Sequence, residues 1–203
     1  MRALNIMSTP VVTVTPQTPA KQAAGLLTAH GFTALPVVDD DERLIGIVTE
    51  ADLVADRFPP DARSTHLNAG ERRPGATVAE VMTSPVTGMA PGTDLAVLAR
   101  ALVDARIRAM PIVDGSRVVG IVTRGDLVRT FARADTEIAA DVRRHLAIYG
   151  GPDRWHVQVR DGIVRIADEF DNETDRHVAT RLAESVPGVV SAHMASADQG
   201  GNR

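Results

Sequence analysis

The sequence predicts an α/β (α+β) fold, with two matched β-α-β-β-α repeats packed as a pseudo-symmetric pair and a smaller α-β-β-α-β unit behind them, in 203 residues. Three observations carry that expectation. Met7-Ser8-Thr9-Pro10-Val11 returns 75 positions later as Met82-Thr83-Ser84-Pro85-Val86, and Ala34-Leu35-Pro36-Val37-Val38-Asp39 returns as Ala109-Met110-Pro111-Ile112-Val113-Asp114. Gly46-Ile47-Val48-Thr49-Glu50-Ala51-Asp52-Leu53-Val54 returns at an offset of 74 as Gly120-Ile121-Val122-Thr123-Arg124-Gly125-Asp126-Leu127-Val128. Ordered blocks at a fixed period mark a duplicated structural unit. Apolar spacing then switches between helical and strand periods in the same order in both copies. From Asp135 the repeat stops and a different alternation begins.

The elements follow in order. Val11–Val14 is a short β-branched run, and Thr18-Pro19 sets a helix N-cap with proline in the first turn, ahead of Ala20, Ala23, Ala24 and Leu27 at helical spacing. In the second copy Thr93-Asp94 opens the helix, with Leu95, Leu98 and Leu102 on one stripe. Leu35–Val38 pairs with Leu44–Val48, and Met110–Val113 with Val118–Val122, each as a hairpin leading into a helix at Thr49 or Thr123. The single deleted residue falls in the hairpin turn, where Asp39-Asp40-Asp41-Glu42 becomes Asp114-Gly115-Ser116, a place that tolerates length changes. A unit of about 50 residues is marginal alone, so the copies are expected to share a core.

Residues 57–76 hold Pro59, Pro60, Gly70, Pro74 and Gly75 with few apolar residues and read as an irregular linker, with Arg72-Arg73 either solvated or reaching a phosphate. Beyond it, Ile138, Val142 and Leu146 mark a helix broken by Gly150-Gly151-Pro152. Trp155, Val157 and Val159 alternate, Asp161-Gly162 turns the chain, and Ile163–Ile166 continues as a strand. Asn172 caps a helix carrying Val178, Leu182 and Val186, and Pro187-Gly188 precedes a last strand at Val189-Val190. The expected boundaries are 1–56, a linker at 57–76, 77–132, 134–197 and a tail at 198–203.

Composition narrows the chemistry. With no cysteine, thiolate metal sites, disulfides and cysteine nucleophiles are absent. The 22 basic and 26 acidic residues give a net charge of −4, which argues against broad, charge-driven nucleic-acid binding. Lys21 is the single lysine, so positive charge sits almost wholly on guanidinium groups suited to phosphate or carboxylate. His30, His66, His145, His156, His177 and His193 lack the i, i+4 spacing of a helical zinc pair. Asp39–Glu42 reads as a solvated turn or a hard-cation loop. The phosphate-loop, nucleophile-elbow and dinucleotide motifs are all missing, so neither a catalytic residue nor a metal ligand is expected. Ser8-Thr9-Pro10 interrupts the opening residues before a signal core forms, and no run reaches the ~18–20 apolar residues of a membrane span, so the expected location is cytoplasmic.

The repeated phrases resemble the CBS domain, here as the tandem pair called a Bateman module, over about residues 5–56 and 77–132. The resemblance implies two clefts that take adenosine-containing ligands such as AMP, ADP, ATP or S-adenosylmethionine, and assembly as a homodimer. Thr49-x-x-Asp52 and Thr123-x-x-Asp126 sit where strand turns to helix. There free N–H groups and a threonine hydroxyl suit phosphate, and an aspartate suits two ribose hydroxyls. The same spacing also makes a helix capping box. Adenine would rest against Thr33, Ala34 and Pro36 in one copy and Arg108, Ala109 and Pro111 in the other. Arg108, Arg124 and Gly125 face Thr33, Glu50 and Ala51 in the alignment, so the second cleft is expected to favour phosphorylated ligands.

Residues 134–197 resemble the BON domain, through Val-x-Val-x-Asp-Gly-x-Val and the later Val-Pro-Gly-Val-Val. They depart from it at Ala167-Asp168-Glu169-Phe170, where members commonly carry a small residue and glycine. Two functions follow as expectations. One is a non-catalytic nucleotide sensor with the C-terminal unit as relay or tether. The other is an envelope or phospholipid-associated protein acting through the C-terminal unit, with the repeat pair as scaffold. Net charge weighs against the second at an anionic surface, because residues 134–203 hold 8 basic and 12 acidic side chains. Trp155, Phe170 and Tyr149 are either an interfacial trio or, for the tryptophan, core.

Overall fold

The computed structural model describes residues 1–58, 75–170 and 172–195, so the expected linker with Arg72-Arg73 lies almost wholly, and the expected tail entirely, outside the described residues. Two compact units are present: a repeat unit over the described parts of Met7–Thr93 and Val97–Thr123, and a C-terminal unit built from Met1–Ile6, Asp94–Ala96 and the described chain from Arg124 onward.

In the repeat unit, helix α1 (Ala20–His30) leads into a hairpin of β1 (Ala34–Val38) and β2 (Leu44–Thr49), followed by the short helix α2 (Glu50–Val54). The second copy has the single turn α3 (Val78–Val81), helix α4 (Leu95–Asp104), β3 (Ala109–Asp114) and β4 (Arg117–Thr123). Both hairpins are antiparallel, and both carry a bulge at the matched positions Val37/Val38 and Ile112/Val113. The core of the first copy gathers Val14, Ala23, Leu27, Leu35, Val37, Val48 and Leu53.

Two expectations change at the start of this copy. Among the described residues the Val11–Val14 run makes one bridge, Val14 to Val37, matched in the second copy by Met89 to Ile112. Pro10 and Pro16 flank it and have no N–H to give a ladder, so pairing stops at two bonds, Val14 N to Pro36 O (3.0 Å) and Val38 N to Val14 O (2.9 Å). Helix α1 begins at Ala20 with Pro19 as its N-cap, and the Thr18 hydroxyl instead accepts from Thr15 N (3.1 Å). Ala20 N donates to Ala76 O, which takes a helix-start donor the threonine would otherwise cap.

The copies are stitched by exchange of leaders. Ser8 pairs with Ile121 of the second hairpin, and the equivalent Thr83 pairs with Ile47 of the first. Each leader lays a methionine on a glycine: a Cβ on Gly46 would sit 2.7 Å from Met82 Sδ, and one on Gly120 would sit 2.6 Å from Met7 Sδ. Only glycine admits that approach. Ala34, Ile47 and Ala109, with Val86 and Ile121, form a small buried cluster between the copies.

The C-terminal unit contains α5 (Arg124–Phe131), α6 (Asp135–Gly150), β5 (Trp155–Arg160), β6 (Ile163–Asp168), α7 (Glu173–Glu184) and β7 (Ser191–Met194). From α6 onward the order is the expected α-β-β-α-β. Its sheet runs β5-β6-β7, the first pair antiparallel and the second parallel. Asp161 and Gly162 both have positive φ, as a two-residue hairpin turn requires. Asn172 Oδ1 caps α7, accepting from Thr174 N (3.0 Å). The last strand begins at Ser191 rather than at Val189-Val190, because Val189 N closes a turn onto Val186 O and Val190 N is the first to reach β6, at Gly162 O. Val186 lies past the end of α7 but is fully buried. Ile138, Val142, Leu146, Trp155, Val157, Val164 and Ile166 build the core. Trp155 is therefore a core residue at 5% exposure, whereas Phe170 is 60% exposed.

Candidate ligand site

The two stretches singled out in the first copy are brought side by side. Ala34 pairs with Thr49 at the open end of the hairpin, and Glu50 N donates to Thr33 O (3.2 Å), tying the start of β1 to the first turn of α2. Thr49 is extended (φ −115°, ψ 169°) and caps α2. Its Oγ1 accepts from Asp52 N (3.4 Å), while Asp52 Oδ2 accepts from Thr49 N (2.8 Å) and from the Thr49 hydroxyl (2.7 Å). The spacing thus closes as a capping box, and Asp52 Oδ1 keeps its capacity to accept. The Thr33 hydroxyl is buried without a hydrogen-bond partner, the kind of group a ligand polar atom would satisfy.

This geometry limits what the first copy offers a phosphate. Two N–H groups of the α2 start are taken, Glu50 N by Thr33 O and Asp52 N by Thr49 Oγ1. Glu50 adds a carboxylate, which stands 4.0 Å from Arg108 of the second copy. Arg108 is an exposed side chain on this unit, and Ala109 and Pro111 beside it are buried, as are Ala34 and Pro36. Those four residues are thus packed into the unit, two in each hairpin. Thr123 pairs with Ala109, as Thr49 does with Ala34.

In the C-terminal unit, Arg124 and Asp126 occupy the first turn of α5, Arg124 exposed and Asp126 only 5% exposed. A buried carboxylate requires partners. Asp126 Oδ1 accepts from Arg129 Nη1 (2.8 Å), and Thr130 Oγ1 donates to the Asp126 carbonyl (2.8 Å). Sequence reasoning passed over Arg129, although an acid and an arginine three apart on a helix are a recognisable pair. It also passed over the Glu50–Arg108 approach, which joins residues 58 apart and has no local signal.

The acidic turn is used structurally. Asp39 Oδ1 accepts from Asp41 N (3.0 Å) and Arg43 N (2.9 Å), Asp41 pairs with Arg43 (3.2 Å), and Glu42 pairs with Arg117. Among the described residues no group of three or more His, Asp or Glu side chains is arranged to hold a metal ion, and no helix is long and apolar enough to cross a membrane.

Comparison with known proteins bears on the repeats. The family model of the CBS domain matches residues 3–56 and 78–133. The chloroplastic CBS domain-containing protein CBSX2 of Arabidopsis thaliana is 32% identical over 134 residues, 57% of this chain and 56% of that protein, so the chain spans about half of that relative's length. The CBS domain-containing protein YhcV of Bacillus subtilis is 34% identical over 122 residues, covering 60% of this chain and 79% of YhcV. Among solved structures, CBSX2 in complex with AMP is 30% identical with a TM-score of 0.54, over 63% of this chain and 94% of that one. The CBS domain pair of protein MJ0100, in complex with 5'-methylthioadenosine and S-adenosylmethionine, is 30% identical with a TM-score of 0.52, over 64% and 95%.

Proposed function

The chain belongs to the CBS domain family, and on that premise we propose that it is a non-catalytic regulatory protein whose repeat pair binds an adenosine-containing ligand, AMP, ADP, ATP or S-adenosylmethionine. The observation that carries the reading is the likeness of the repeat pair to CBSX2 in complex with AMP, at 30% identity over 94% of that chain. The unpartnered Thr33 hydroxyl and the free Asp52 Oδ1 support Thr33, Ala34 and Pro36 as the adenine side of the site and Asp52 as the ribose acceptor, with Thr49 on the phosphate side. The matched residues Arg108, Ala109, Pro111, Thr123, Arg124 and Asp126 take the same roles, with the two arginines favouring a phosphorylated ligand. Ligand can regulate only by binding two states of the protein unequally.

The C-terminal unit enters the proposal as a BON-like relay or tether, supported by its motifs and its α-β-β-α-β order. Assembly of two copies through the repeat pair and a cytoplasmic location complete it, the latter resting on the sequence. A thermal-shift screen with AMP, ADP, ATP, S-adenosylmethionine and NAD tests the reading. Ligand at 100 times its dissociation constant adds about 2.7 kcal/mol, so at least one adenosine ligand is expected to raise the melting temperature by several degrees. No shift with any of them, together with liposome co-sedimentation that requires residues 134–203, would instead make the C-terminal unit the functional part.

A further inference from the structure

The sheet of the C-terminal unit has a free edge at β5, and its pairing shows which backbone groups point outward. Gly162 O accepts from Val190 N (2.9 Å) and Ile166 O from Ala195 N (2.7 Å), so alternate residues of β6 turn their peptide groups toward β7. The intervening Ile163, Arg165 and Ala167 turn theirs toward β5, opposite Arg160, Gln158 and His156. Val157 and Val159 therefore direct their N–H and C=O groups away from the sheet. One of these groups is already used in that direction: Arg143 of α6 donates to Val157 O at 2.9 Å.

A groove of about 670 Å3 lies along this edge, lined by Thr136, Ala139 and Arg143 of α6, by Val157 and Val159, and by Arg160 and Arg165. Its lining carries three arginines against two aspartates. Three of the eight basic residues of 134–203 converge on it. Of its two carboxylates, Asp135 is held at one end by the N–H groups of Asp161 (2.8 Å) and Gly162 (2.9 Å). Asp161, 90% exposed, stands 4.0 Å from Arg160. Arg165 is exposed and forms no ion pair among the described residues.

We propose that this groove takes an extended, acidic peptide segment of a partner protein, added as a fourth strand on the edge of β5. Unpaired strand-edge groups are a template for another strand, whose side chains alternate across the edge with period two. Residues on one face would meet Arg160 and Arg165, which favours carboxylates. Those on the other would meet Thr136 and Ala139, which favours small apolar side chains.

The test uses the full chain and a fluorescein-labelled, acetylated and amidated octapeptide of alternating valine and glutamate, read by fluorescence anisotropy. Binding is expected. It should fall at least tenfold when lysine replaces glutamate, when Arg160→Glu and Arg165→Glu are combined, and in at least one of two peptides N-methylated at all valines or at all glutamates. Both substituted side chains are exposed, and circular dichroism checks that the variant is folded. Absence of binding, or equal binding of both N-methylated peptides, would overturn strand addition. Retention of affinity by the double variant would overturn the charge argument. Sedimentation velocity showing self-association abolished by Val159→Pro, with no peptide binding, would assign the edge to a second copy and likewise overturn the proposal.

Discussion

Arg106 holds a backbone conformation that its side chain does not favour. In the first copy α1 ends on Gly31 with φ of 65°, whereas the matched position in the second copy is Arg106 with φ of 54°. A left-handed conformation costs an L-residue roughly 1–2 kcal/mol, and glycine avoids most of that while losing some entropy. Arg106→Gly is therefore expected to stabilise the protein by about 1 kcal/mol, measured by urea denaturation; a destabilised variant would contradict the reading. The aspartates of the two Thr-x-x-Asp motifs differ in the same residue-by-residue way. Asp52 is held by Thr49, so Thr49→Ala should cost about 0.5–2 kcal/mol through loss of the cap alone. Asp126 is buried and paired with Arg129. The motif was legible in sequence, but which atoms of each aspartate remain available depends on side-chain geometry that spacing does not contain.

Between elements, the exchanged leaders make a specific prediction. Gly46→Ala and Gly120→Ala each overpack a contact, which typically costs about 1–3 kcal/mol. A double-mutant cycle should find coupling of at least ~0.5 kcal/mol between Gly46→Ala and Met82→Ala, and between Gly120→Ala and Met7→Ala. Swapped pairings should show none, and coupling of Gly46 to Met7 would refute the exchange. In the C-terminal unit, Arg154 makes a bidentate pair with Asp168 (2.8 and 2.9 Å), reaches Asp175 (2.7 Å) and lies over the Trp155 ring at 4.4 Å. The hydrogen bond from Arg154 holds Asp168 below the usual carboxylate range, and those from Tyr149 and then Arg154 do the same for Asp175. A depressed folded-state pKa gives stability that is present above the unfolded value near 4 and is lost as pH falls through the folded one. Thermal melts are thus expected to drop as pH is lowered below about 4, and Asp168→Asn should flatten that dependence. An identical acid profile for the variant would contradict the assignment. The order of elements was readable because hydrophobic period and turn residues are local. The first strand of each copy, the start of α1 and the position of β7 were not, because each is decided by long-range hydrogen bonds: Val14 to Pro36, Ala20 to Ala76 and Val190 to Gly162.

At the scale of the whole chain, duplication made the repeat pair legible: matched blocks at offsets of 75 and 74 announced two like units, and the structure adds matched bulges, bridges and glycine–methionine contacts. The exchange of leaders was not foreseeable, since a repeat gives the content of each copy and leaves open which copy a segment joins. Charge is also divided along the chain. Residues 1–133 are balanced at 14 basic and 14 acidic, and the net −4 falls on residues 134–203, which nonetheless gather arginines at the edge of β5. The central claim, that the repeat pair binds an adenosine ligand through its Thr-x-x-Asp motifs, is tested most directly by calorimetric titration of AMP into the wild-type chain and into folded Asp52→Ala and Asp126→Ala variants. The account predicts saturable binding to the wild type, weakened in both variants and at least tenfold in Asp126→Ala. Absence of heat and of competition with the other adenosine ligands, or full affinity in both variants, would contradict it.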